Sequence, residues 1–181
     1  MIFEKMRPVK FPALLLTLVM PLFGILASCS SQVKARQPVS YHFESGKTAM
    51  LKGGIAYAPS RAPAVVKRAI AAGNRLQSMP YKWGGGHAHL DDSGYDCSGS
   101  VSYVLREAGL MKGCMPSNGF FEYSKKGEGK WITIYARDGH VFMTVAGLRL
   151  DTGGSNNSSG PRWKTSTRAG KGHVMRHPSG F

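Results

Sequence analysis

One of the chain's three cysteines stands directly behind an aspartate, at the head of a run with helical spacing of apolar residues. Asp96 and Cys97 open this run, which predicts a helix over about 97–108. Cys97 then lies in the first turn, where unpaired amide hydrogens and the positive end of the helix dipole favour a thiolate. The negative neighbour opposes that effect unless its carboxylate caps the same amides. Gly99 is expected to keep the approach to the sulfur open. Such chemistry is nucleophilic, and a nucleophile needs a base. His140 is the best-placed imidazole, at the start of the strand after Asp138-Gly139. A third group should orient the ring, and Asp151 is on the following strand. A two-residue turn at 146–147 or 147–148 would put Asp151 on the sheet face of His140, as its diagonal neighbour; an odd loop would reverse that face.

The elements that must position these residues can be read from periodicity. Residues 62–78 carry Val65, Val66, Ala69, Ile70 and Leu76 at amphipathic spacing, and Met79-Pro80 ends the helix. "YKWGGGHAHLDDSG" reads as a loop. In the second helix Val101, Val104, Leu105 and Ala108 form the buried stripe, and Gly109 is the stop. After residue 130 the period becomes that of strands. "WITIYARDGHVFMTV" is a hairpin around Asp138-Gly139, "AGLRLDT" gives a third strand and "HVMRH" a fourth. Helices first and antiparallel strands afterwards make an α+β domain, and no internal repeat interrupts it.

Three stretches in this order resemble the NlpC family of papain-like bacterial cell-wall cysteine peptidases. "YDCSGSVSYVLREAGL" is similar to its nucleophile helix, "PYKWGGG" to its upstream tyrosine–glycine motif, and "GHVFMTVAG" to its histidine strand. Together they cover about residues 62–155. The resemblance implies a papain-like fold, with N-terminal helices that include the nucleophile helix packed on an antiparallel sheet. It also implies hydrolysis of peptidoglycan stem peptides, usually between D-γ-glutamyl and a diamino acid, without a metal or organic cofactor. Cys97 matches the nucleophile, His140 the base, and Tyr81 the tyrosine whose hydroxyl helps to hold substrate or oxyanion. The third position is usually His, Asn or Gln; here it is Asp151, a carboxylate able to steady imidazolium. "KWITIYARDGHV" also departs from the Gly-Asp-rich turn of the family, and the stretch from Gly160 to Phe181 lies outside its motifs. Two alternatives stay open: a catalytically inactive murein-binding envelope lipoprotein, and a thiol amidase or acyltransferase on the same fold.

The N-terminus sets the expected compartment. Lys5, Arg7 and Lys10 precede the apolar run 11–27, too short for a comfortable membrane span. Small residues follow, then Cys29. This is a secretory signal over residues 1–28, and its end resembles a bacterial lipobox, which implies lipid on Cys29. Ser30 in place of aspartate favours the outer membrane, on its periplasmic face. Residues 29–60 read as a lipidated tether and 61–181 as the peptidase domain, expected to be a monomer. Losing residues 1–28 removes three basic charges and one acidic, taking the net charge from +14 to +12. That excess suits an anionic partner. With no nucleic-acid motif beside it, stem-peptide carboxylates are the expected anions, met by Arg162, Lys164, Arg168 and Arg176 or by none of them.

Other pairings compete for the same residues. Cys97 and Cys114 can form a disulfide in an exported protein. His87, His89, Asp91 and Asp92 crowd onto one loop with no distant partner, a weak pattern for zinc. His173 and His177 are alternative partners for Cys97. Gly84–Gly86 lacks the Lys-Ser/Thr of a phosphate loop. Trp83 and Trp163 are expected in the core or at its rim.

Overall fold

Alternating apolar residues after position 130 demand a sheet with one face covered, and two helices supply that cover. The computed structural model describes residues 32–153 and 160–181. The signal segment 1–28 and Cys29 lie outside the described residues. Residues Ser31–Phe181 form one compact unit.

A hairpin, β1 (Met50–Lys52) and β2 (Ile55–Tyr57), precedes α1 (Ala64–Arg75) and α2 (Cys97–Glu107). A short 3-10 helix (Ser117–Glu122) leads to β3 (Lys125–Lys126), β4 (Ile132–Arg137), β5 (His140–Val145), β6 (Leu148–Asp151), β7 (Arg162–Lys164) and β8 (Val174–His177). The main sheet has the order β3-β8-β4-β5-β6-β7, and every pairing is antiparallel. The chain is therefore α+β, as its periodicity predicts. Strands β3 and β7, only two and three residues long, carry too little alternation to be read in advance.

The two faces of the sheet are covered differently. Ile132, Ile134, Val141, Met143, Leu148 and Leu150 face the helices and join Val66, Ile70, Val101, Val104 and Leu105 in the main core. On the opposite face Tyr135 and Phe142 stack at 4.8 Å between centroids under Ala35, Val39 and Met175.

Ala35 and Val39 belong to the stretch expected to be a tether. That expectation needs correction from residue 32 onward, because this stretch is part of the fold. Residues 32–40 form a strap with bridges Lys34↔Val174 and Val39↔Arg168. Ala49 is fully buried and donates its N–H to the Ala146 carbonyl at 2.8 Å. The side-chain amide of Asn74 clamps β2 by accepting from the Ala56 N–H and donating to the Ala56 carbonyl, both at 2.9 Å. Polar residues without periodicity can still fold when backbone pairing supplies the order.

Candidate active site

The Asp96 side chain caps α2. Its Oδ1 accepts the Gly99 N–H at 2.7 Å and the Ser98 hydroxyl at 3.1 Å. Its Oδ2 accepts the Gly84 N–H at 3.1 Å. The carboxylate is thus engaged by donors of the helix start and the glycine loop, as capping requires. Cys97 follows it, half-buried, as a free thiol; Cys114 is free as well, so no disulfide joins them. The Cys97 N–H lies in the first turn, where a helix offers it no acceptor.

Gly99 has another role than sulfur access. A Cβ there would lie 1.9 Å from the Gly85 carbonyl oxygen. Its missing side chain lets the helix start press onto the 82–86 loop, where Asp96 N–H also reaches the Gly85 carbonyl at 3.4 Å.

The sheet supplies the base. Arg137 pairs with His140 across the Asp138-Gly139 turn. Ala146 and Gly147, at φ 46° and 76°, form the even-length turn into β6, with Val145 opposite Leu148 and Met143 opposite Leu150. This register makes Asp151 the diagonal neighbour of His140. Their side chains close the gap, with His140 Nε2 3.0 Å from Asp151 Oδ1. A carboxylate only accepts, so Nε2 carries the proton and Nδ1 is left as the basic nitrogen.

Asp151 is buried among donors. Oδ1 also accepts the Gly153 N–H at 2.7 Å, Arg149 Nη1 donates to Oδ2 at 2.5 Å, and Arg168 Nη1 stands 3.4 Å from Oδ2. Arg149, only 4% exposed, is anchored in turn by donating to the Ser166 carbonyl and hydroxyl at 3.1 and 2.9 Å.

These contacts move the proton affinities. Burial pushes the Asp151 carboxyl up, but hydrogen bonds from His140 and Gly153 and the charge of Arg168 prevail and hold it below the usual carboxylate value. Burial pushes the His140 imidazolium down, yet its hydrogen bond to Asp151 and the nearby Cys97 prevail and raise it. Burial raises the Tyr81 phenol, and nearby Cys97 and Asp96 raise it further.

Cys97, His140 and Tyr81 line one cleft of about 820 Å³, with His87, Asp96, Arg137, Gly153 and Arg168 around them. Asp151 braces the ring from behind. All four residues expected at a thiol site are thereby brought into one place. Trp83 also lines the cleft and is 87% exposed, whereas Trp163 is buried, with its Nε1–H donating to Asn74 Oδ1 at 2.9 Å.

Other expectations change. His87 Nε2 lies 3.1 Å from both Asp96 Oδ1 and Ser98 Oγ, in the cleft wall. Among the described residues no group of three His, Cys, Asp or Glu is arranged to hold a metal. His173 is buried and T-shaped against the Phe142 ring, His177 Nδ1 faces the Gly127 carbonyl at 3.1 Å, and neither lines the cleft. Arg176 is not a surface cation: it is 2% exposed and donates to Gln32 and Glu122. Arg162 donates to the Met79 carbonyl and Lys164 to the Gly153 carbonyl. Of these basic residues, Arg168 lines the cleft.

Sequence reasoning passed over Arg137 and Arg149, and weighed His87 only as a weak zinc ligand. Signals existed for the two arginines, since Arg149 shares Asp151's face by alternation and Arg137 must oppose His140 across a two-residue turn.

Compared with known proteins, the chain matches no family model, and no curated protein matches it.

Proposed function

We propose that the protein is a cysteine peptidase of the bacterial cell envelope, of papain-like NlpC type, which hydrolyses peptidoglycan stem peptides at the bond between D-γ-glutamyl and a diamino acid. One observation carries this reading. Cys97, at the helix start, shares one cleft with an imidazole whose Nε2 is tied to Asp151 at 3.0 Å.

In the proposed reaction, His140 Nδ1 takes the thiol proton, and the raised imidazolium supports the resulting ion pair. The thiolate attacks the amide carbon, and the oxyanion is met by the Cys97 N–H and the Tyr81 hydroxyl. One such donor typically lowers the barrier by ~3 kcal/mol. His140 returns the proton to the departing amine. A water molecule, its proton taken by His140, then opens the thioester and frees the carboxylic acid and the thiol. The protein's own residues suffice for each step.

The signal-like N-terminus and Cys29 support an exported, lipid-anchored form facing the periplasm from the outer membrane. The experiment is to incubate the purified full chain with isolated murein and count new amine ends. The expected result is their release by wild type and none by Cys97→Ala. Equal behaviour of the two proteins would instead favour a catalytically silent murein-binding lipoprotein.

A further inference from the structure

We propose that the cleft selects substrates whose departing amino acid carries a free carboxylate, gripped by Arg137 and Arg168 beside His140. The proposal rests on the hydrolase reading and gives it a direction. The acyl carbon must meet Cys97, with its oxyanion toward the Cys97 N–H and Tyr81. The departing nitrogen takes its proton from His140, so the departing amino acid occupies the sheet side of the cleft.

That side is cationic. Arg137 is directly opposite His140 in the β4–β5 ladder, so the two side chains leave the same sheet face. Arg137 is exposed, lines the cleft, and its side chain has no hydrogen-bond or ion-pair partner among the described residues. Arg168 stands against Gly153, where an added Cβ would lie 2.9 Å from Arg168 Nη1 and 3.2 Å from His140 Cε1. Its guanidinium therefore borders the imidazole. It faces the Asp151 carboxylate at 3.4 Å and completes no hydrogen bond with any described residue, which leaves its donor fork for a ligand. Asp151 cannot repel that ligand strongly, because His140, Gly153 and Arg149 already engage it. Asp138, exposed at the turn tip, forms no ion pair among the described residues.

Two guanidiniums beside the proton donor match a planar carboxylate better than an amide or a bare amine. In stem-peptide chemistry this separates a diamino acid with a terminal side-chain carboxylate from the same residue amidated, and from lysine. It also explains why Arg168 points into the cleft while Arg162 and Arg176 are engaged in internal hydrogen bonds.

The test uses the full chain with Cys97→Ala, which cannot turn over, and two synthetic alanyl-γ-glutamyl-diamino acid peptides. They differ only in a carboxylate or a carboxamide on the diamino acid side chain. Titration calorimetry should give the carboxylate peptide at least ~10-fold tighter binding, the effect of one or two charge-assisted hydrogen bonds. Adding Arg137→Gln should reduce the preference to about threefold or less. Arg137 is exposed, so this variant should keep the parent's circular dichroism and melting temperature. Equal binding of the two peptides, binding of neither, or a preference that survives Arg137→Gln and Arg168→Gln would overturn the proposal. Wild-type cleavage of the same peptides reads the hydrolase proposal separately. Cleavage without preference removes only the carboxylate grip, and preference without cleavage removes only the hydrolysis.

Discussion

The two walls of the cleft are built by different physics. On the helix wall, Asp96, Cys97, Ser98 and Gly99 are consecutive, and one carboxylate organises them with a glycine loop fewer than fifteen residues upstream. On the sheet wall, His140, Asp151, Arg149 and Arg168 come from three separate segments, joined by a ladder and a buried ion cluster. The nucleophile is set by local geometry that tolerates distant change. The base depends on register, on charge balance and on the strap behind the sheet. Perturbations should therefore separate the two walls.

The largest effect is expected from Asp151→Asn. It removes the acceptor that fixes the His140 tautomer and leaves Arg149 without its anion. By analogy with the loss of a carboxylate in serine triads, kcat should fall roughly 10³-fold or more. With the hydrogen bond and charge gone, the imidazolium loses its proton more easily, so the alkaline limb of the pH–rate profile should move to lower pH. Iodoacetamide labelling should still find the Cys97 sulfur accessible, since the helix wall is untouched.

Deleting residues 32–40 should come next. It strips the cover from Tyr135 and Phe142 and the backbone pairing from Arg168. Re-exposing two such aromatics costs roughly 3 kcal/mol or more, to be read as a fall in the urea midpoint. A chain begun at residue 61 should fare worse. Gly99→Ala strikes the other wall, where its Cβ meets the Gly85 carbonyl. Overpacking of this kind typically costs about 1–3 kcal/mol, measurable by thermal melting, and should slow acylation without moving the alkaline limb.

The smallest effect is on stability against pH, and it arises from the sheet wall. His140 is raised on folding. Its contribution is complete below the ordinary imidazole value of ~6.5 and fades as pH climbs through the folded value. Asp151 is depressed on folding, so its contribution holds above ~3.9 and fades as pH falls through the folded value. The urea midpoint of His140→Ala, compared with wild type, should converge on it above the folded histidine value. A gap that stays constant across that range would show that the ring matters by packing alone.

The sequence made one wall much more readable than the other. Asp96 and Cys97 announce a capped helix with the sulfur in its first turn, and α2 begins at Cys97 as that pattern requires. The Ala146-Gly147 turn was one of the even-length choices that put Asp151 on the histidine's face, so the ladder could be anticipated once the loop length was fixed. The cation cluster could not, because Arg168 reaches Asp151 only through the strap and β7, neither of which shows a period. The strap itself hides in a polar stretch whose buried members, Ala35 and Ala49, are too small to mark a core position. Trp83 failed in the opposite sense: a large aromatic expected at the core or its rim is 87% exposed at the mouth of the cleft.

The Val39–Arg168 pairing has a mechanical consequence. Tension on the chain ahead of residue 32 enters the fold along the strap, through the Met175 N–H bond to the Val33 carbonyl and then the Ala35 N–H bond to the His173 carbonyl, both 2.8 Å, which flank the Lys34–Val174 bridge. The next bonds to take the load are those between Val39 and Arg168, 2.7 and 3.0 Å long. A pull strong enough to peel the strap would therefore loosen the guanidinium beside Asp151 before any strand of the main sheet parted.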